Sequence, residues 1–133
     1  MITIEIMGRP VPWTAPYVGK RGAFSKHTVK KHENKWLLKS EFNQEPWSCP
    51  VYLTLLFYFA PPKSTSSVRK TQMLNGRMHH IKRPDLSNCT KFIEDCGTGI
   101  LWDDDSQIIS LNCRKIYGIA EKTIIKMSEV PNG

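Results

Sequence analysis

Residues 51–60, Val-Tyr-Leu-Thr-Leu-Leu-Phe-Tyr-Phe-Ala, constrain the fold more than any other stretch of the chain. Ten residues without a charge, rich in aromatic and β-branched side chains, suit a pleated strand. Because the run is apolar on both faces, its place is the centre of a sheet. Pro61 and Pro62 end it, since proline brings no N–H to a strand ladder. The run is far shorter than the roughly 20 apolar residues a membrane span needs. No membrane association is therefore expected, and the expected compartment is the cytoplasm.

The neighbouring elements follow from their periodicity. Residues 1–7 alternate, with Ile2, Ile4 and Ile6 against Thr3 and Glu5, which reads as an opening strand rather than a secretory signal. Pro10, Pro12 and Pro16 exclude a helix over residues 8–16. Residues 20–24, Lys-Arg-Gly-Ala-Phe, suggest a tight basic turn. Residues 27–42 predict a helix with Val29, Trp36, Leu37 and Phe42 buried. Its other face would carry Lys26, Lys30, Lys31, Lys35 and Lys39, either as a solvated surface or as a ridge facing phosphates. Residues 61–80 are polar and basic, a loop expected to be mobile, with one short helix near 68–74. Residues 84–96 predict a second main helix, with Pro84 in its first turn and Leu86, Cys89, Ile93 and Cys96 on one face. Gly97-Thr98-Gly99 stops it. Residues 106–117 and 122–127 read as two strands joined by a turn at Gly118. A chain of 133 residues builds one real core. The expected fold is a single small α/β (α+β) domain, 1–133, with a mixed β-sheet and two main helices.

Charge narrows the partners. Nineteen Lys and Arg stand against twelve Asp and Glu, for a net charge of +7. A small basic chain without a membrane signature favours a polyanion, usually nucleic acid. Four cysteines, Cys49, Cys89, Cys96 and Cys113, form no C-x-x-C pair and fit no zinc spacing. Core packing is the expectation for Cys89 and Cys96.

Reactive groups concentrate in two segments. The first is Lys82-Arg83-Pro84-Asp85-Leu86-Ser87-Asn88, continuing to Lys91. Ser87, Asn88, Lys91 and Asp95 share the helix face opposite Leu86 and Ile93, with Asp85 projecting from the helix start. The second is Trp102-Asp103-Asp104-Asp105-Ser106-Gln107. Three successive carboxylates repel one another, and a divalent cation would relieve that repulsion. An exposed acidic turn is the plainer explanation, and an EF-hand is excluded because its alternating ligands and central glycine are missing. Gly97 and Gly99 make no dinucleotide fingerprint, since no strand precedes them.

Together these segments resemble the RusA family of Holliday-junction resolvases. The family pattern is a basic residue or two, D-[LI]-D-N-x-x-K, a helix, a glycine-containing turn, and D-D-x-Q-[IV]. Here it appears as Lys82-Arg83-Pro84-Asp85-Leu86-Ser87-Asn88, Lys91, and Asp104-Asp105-Ser106-Gln107-Ile108. The early Gly-x-Pro-x-Pro segment, the Lys-rich first helix and the basic Ser-rich loop follow the family's order. The resemblance implies a homodimer that binds four-way DNA junctions and makes paired nicks with magnesium, for which manganese can substitute. It implies Asp85, Lys91 and Asp105 as catalytic residues and Asp85, Ser87, Asp104 and Asp105 around the metal. Lys82, Arg83, Asn88, Arg69, Lys70 and Arg77 would meet DNA, and no small-molecule substrate is implied.

One position departs from the pattern. Ser87 stands where the family has its second aspartate, and a hydroxyl brings no negative charge. Either the site recruits another carboxylate, from the acidic run or Glu94, or the chain is a slow or inactive junction-binding protein. A basic scaffold protein with a solvated acidic turn is the third alternative.

Overall fold

A computed structural model describes residues 1–19, 22–24 and 27–130, with backbone alone for 17–19 and 22–24. The elements run β1 (Ile2–Met7), β2 (Tyr17–Gly19), β3 (Gly22–Phe24), α1 (Thr28–Phe42), β4 (Val51–Phe59), α2 (Ser67–Leu74), α3 (Leu86–Gly97), β5 (Ile108–Tyr117) and β6 (Lys122–Ser128). The tip of the expected basic turn, Lys20 and Arg21, and Lys26 lie outside the described residues.

The main sheet has the order β1-β6-β4-β5, so β4 is central, as its composition requires. It pairs in parallel with β5 and antiparallel with β6, which makes the sheet mixed. The turn at Gly118 therefore does not close a hairpin. It carries the chain over β4, and β6 returns between β4 and β1. Alternate residues of β4 (Val51, Leu53, Leu55, Phe57, Phe59) are buried. They form one core with Leu38 and Phe42 of α1 and Cys89, Phe92, Ile93 and Cys96 of α3. The intervening Tyr52, Thr54, Leu56 and Tyr58 are half-buried on the sheet's other face. The result is a single small α+β domain.

Helix α1 corrects the expected stripe. Leu38 and Phe42 are buried, Leu37 is half-buried, and Val29 and Trp36 are 70% and 73% exposed. The helix offers two apolar stripes: at 100° per residue Val29 and Trp36 nearly eclipse, while Leu38 lies on the opposite side. The side that packs is continued by Lys31, Asn34 and Lys35, all half-buried. This side meets α3, where the Cys96 thiol lies against the Lys31 carbonyl at 4.0 Å. The lysines of α1 thus do not form one outer ridge. Lys30 and Lys39 are exposed, and Lys30 pairs with Glu33 at 3.5 Å.

Within residues 61–80 the structure places a third helix, α2. Ser66 caps it by accepting from the Arg69 N–H at 3.4 Å, and Met73 anchors it in the core. Beyond it His80 is buried, stacked on Phe59 with ring centroids 4.1 Å apart and edge-on to Tyr117 at 5.2 Å. Its Nδ1 has no hydrogen-bond partner beyond His80's own backbone. Burial, then the nearby Lys115, pull the imidazole below its ordinary pKa of 6.5, with Arg9 and Lys82 adding to the effect. The folded protein therefore binds this proton less readily than the unfolded chain, so the stability tied to neutral His80 is complete above 6.5 and is lost as pH falls through the depressed value. His80→Phe keeps the stack and removes that nitrogen. Urea denaturation from neutral pH down to about 5 should show a shallower acid decline than wild type. An unchanged decline would assign acid sensitivity to other groups.

Candidate active site

Helix α3 is positioned from both ends. Asp85, not Pro84, is its first boundary residue: Pro84 precedes the helix, and the Asp85 carbonyl accepts from the Asn88 and Cys89 N–H groups, both at 3.1 Å. An aspartate at this position usually caps with its side chain. Here the Asp85 carboxylate makes no capping bond and stays exposed. The turn before it is held from below by Lys115 of β5, whose Nζ donates to the carbonyls of Lys82 (2.8 Å) and Pro84 (3.1 Å). No sequence pattern announced that lysine, because backbone carbonyls are available from any residue.

At the other end, Gly97 lets Trp102 pack tightly: a Cβ there would stand 2.8 Å from the indole ring. Trp102 is fully buried and its Nε1 donates to Thr98 Oγ1 at 3.1 Å. The acidic run leaves this anchor, and its members diverge. The Asp103 N–H donates to the Trp47 carbonyl at 3.1 Å. The Asp104 carboxylate caps a short 3-10 turn, Asp105–Gln107, accepting from the backbone N–H of Ser106 at 3.3 Å and also from its hydroxyl. These bonds from Ser106, the hydroxyl's foremost, hold the Asp104 carboxyl below the usual carboxylate range. Asp105 alone faces a cleft. Gln107 fixes the turn, donating to the carbonyls of Trp47 (2.7 Å) and Cys49 (2.9 Å) and accepting from the Asp104 N–H at 2.7 Å.

Two adjoining clefts flank α3. The first, about 410 Å³, is lined by Asp85, Asn88 and Arg83 together with Arg9 and Trp13. The second, about 580 Å³, is lined by Ser87, Thr90, Lys91, Glu94, Asp95 and Asp105, with Leu111 and Cys113. Between them Lys91 of the second cleft lies over the ring of Trp13 of the first, Nζ 3.5 Å from the centroid. Trp13 is itself tied to α3, its N–H donating to the Asn88 carbonyl at 2.8 Å. The proline-rich segment is thus a strap that carries an aromatic ring to Lys91. Among the described residues Lys91 forms no salt bridge with Glu94 or Asp95.

The residues expected at the site do not all share one shell. Asp85 and Asp105 open onto neighbouring clefts, and Asp104 is engaged in capping. Among the described residues no three His, Cys, Asp or Glu side chains gather as a metal shell. What gathers in the second cleft is oxygen: three carboxylates, Glu94, Asp95 and Asp105, beside the hydroxyls of Ser87 and Thr90. Burial, then Asp105 and Asp95, push the Glu94 carboxyl up, while Lys91 opposes them. Hard oxygen donors with few carboxylates suit magnesium, which keeps waters and phosphate oxygens as its other ligands. The cysteines remain free thiols; burial pushes Cys89 up to about 11 and Cys96 up to about 12, so neither is a ready metal ligand or nucleophile.

The model of the endodeoxyribonuclease RusA family matches residues 7–128. The chain belongs to the RusA endodeoxyribonuclease family. The match takes in the strap, both main helices, α2 and the acidic turn, so every part of the site just described lies within the RusA-family region. A Bacillus subtilis (strain 168) protein described as the uncharacterized protein YqaN is 28% identical over 83 residues. That similarity covers 61% of this RusA-family chain and 58% of the Bacillus protein.

Of the basic groups expected to meet DNA, Arg83 lines the first cleft. Lys82 and Arg83 are exposed on the turn that enters α3, and Arg69, Lys70 and Arg77 are exposed on and just after α2. No helix among the described residues is long and apolar enough to cross a membrane.

Proposed function

We propose that the protein is a divalent-metal-dependent endonuclease that resolves four-way DNA junctions by paired nicks. The observation that carries this reading is the cleft in which Asp105, Glu94 and two hydroxyls face Lys91, in a chain of the endodeoxyribonuclease RusA family. Magnesium, when bound, supplies Lewis-acid polarisation of a phosphate and an acidified water, with manganese able to substitute. The protein's own groups do the rest. Arg83 and Lys82 draw the DNA backbone against the mouth of the first cleft. Asp85, unused in capping, faces the same phosphates. Lys91 leaves or tilts from Trp13 to place its ammonium beside the charge that develops on the scissile group.

A second copy of the chain completes the reading, because two-fold symmetry sets one active site against each of two opposed strands. Strand β4 lies between two partners, so it cannot offer a free edge to that copy, and only its half-buried face with Tyr52, Leu56 and Tyr58 is open to contact. The protein acts on DNA in the cytoplasm.

Incubation with a synthetic four-way junction, with and without magnesium, tests the reading. Symmetric nicks that require the metal are expected. Tight junction binding without any nicking would turn the conclusion to a binding protein, and no DNA binding would reject both.

The basic groups after β4 give a separate expectation. Replacing Arg69, Lys70 and Arg77 together by alanine should weaken binding to DNA of every sequence. It should flatten the logarithmic salt dependence by about 0.9 per lost phosphate contact. A slope unchanged from wild type would put the DNA on another face.

A further inference from the structure

The family motif places an aspartate where this chain has Ser87, and the acidic turn does not refill the gap. Asp104 is engaged by Ser106, Asp103 is exposed and does not line the cleft of Asp105, and Asp85 opens onto the other cleft. Two carboxylates of α3, Glu94 and Asp95, share the cleft of Asp105, and of these Glu94 lies almost directly in line with Ser87 while Asp95 is turned about 80° aside. Ser87, Thr90 and Glu94 are spaced i, i+3 and i+7 along α3, so they form one line on its surface. All three line the second cleft with Asp105.

We propose that Glu94 and Asp105 together hold the divalent cation, so that Glu94 supplies, seven residues along the same stripe, the charge that Ser87 lacks. The inference rests on the metal-dependent reading above. Three observations support it. In a chain of net charge +7, neither Glu94 nor Asp105 forms an ion pair among the described residues. The cation best placed to neutralise them, Lys91, is held instead on the Trp13 ring. Midway along the stripe, the Thr90 hydroxyl is buried at 7% exposure and meets no full hydrogen-bond partner, only the weak neighbouring thiol of Cys113. A buried hydroxyl is rarely left so, and an oxygen facing a cation or its water is satisfied. Two unpaired carboxylates, Glu94 on the helix and Asp105 on the turn, with such a hydroxyl lining the same cleft are a donor set for a hard cation.

Calorimetric titration of manganese into the intact protein without DNA tests this, since manganese binds the same oxygen ligands more tightly than magnesium. Glu94→Gln, nearly identical in shape, is expected to weaken manganese binding by at least about tenfold. Ser87→Asp in the Glu94→Gln background should restore most of that loss. Asp95→Asn removes the same charge from the same cleft but off the line of Ser87 and Glu94, and should change affinity by much less. Equal affinity in wild type and Glu94→Gln overturns the assignment. So does an equal loss in Asp95→Asn, which would mean that the cleft attracts cations by charge alone. A loss that Ser87→Asp does not repair also overturns it, because the substitution has then damaged the helix rather than the shell. Junction nicking measured in parallel separates this from the functional reading. A wild type that binds manganese through Glu94 yet never nicks sinks the nuclease and keeps the site. A wild type that nicks while Glu94→Gln binds manganese normally keeps the nuclease and sinks the site.

Discussion

Asp105→Asn should abolish junction nicking while leaving junction binding intact or tighter. The substitution keeps the shape of the acidic turn, whose geometry depends on Asp104, Gln107 and backbone carbonyls rather than on Asp105. What it removes is one of the three carboxylates in the second cleft. Metal-assisted stabilisation of phosphoryl charge is worth several kcal/mol, so a loss on the order of a thousandfold in nicking rate is expected. Asp85→Asn should behave similarly, since its uncapped carboxylate faces the phosphates beside Arg83. Both changes also remove a negative charge from a phosphate-binding surface, which favours tighter DNA binding. Single-turnover nicking and gel-shift titration on one four-way junction distinguish the two effects. A variant that nicks at the wild-type rate takes its aspartate out of the site.

The largest effect on stability is expected at Trp102. Its indole is fully buried between Gly97, Leu101 and Thr98, and Trp102→Ala should cost roughly 3–5 kcal/mol in urea unfolding. Gly97→Ala alone should also destabilise, by about 1–3 kcal/mol, because its new methyl meets the indole at 2.8 Å. In the Trp102→Ala background the same methyl enters vacated space, and alanine's better helix propensity, about 0.5–1 kcal/mol, comes through. The second Gly97→Ala measurement should therefore be neutral or stabilising. Additive penalties would mean that the two residues do not touch.

Some of this molecule can be read from its residues, and some cannot. Strand β4 and helix α3 are legible because each carries one unambiguous period. Helix α1 is not, because Val29 with Trp36 and Leu38 with Phe42 offer opposite faces, and only the tertiary neighbours of the second pair decide. The site segments are legible as a pattern, but the pattern treats neighbouring aspartates alike. Dihedral angles separate them: Asp104, extended at φ −146° and ψ 145°, turns its carboxylate onto Ser106 and leaves the cleft to Asp105. Lys115 and Gln107 escaped notice for a different reason. Both work by binding carbonyls of residues 31 to 60 positions away, and a carbonyl leaves no mark on composition. The meeting of Trp13 with Lys91 is likewise invisible until the proline-rich strap is docked on α3.

The bonds of Gln107 bear on how this protein can drift. The acidic turn is fastened to the connector before β4 through the main chain of Trp47 and Cys49, not through their side chains. Substitutions at Ser48 and Cys49 can then accumulate, or be introduced by design, without displacing Asp105, whereas exchanging Gln107 alone releases three bonds at once. Surface variation at this end of the sheet is in that sense decoupled from the cleft, and a library that diversifies residues 48 and 49 would start from an undisturbed Asp105.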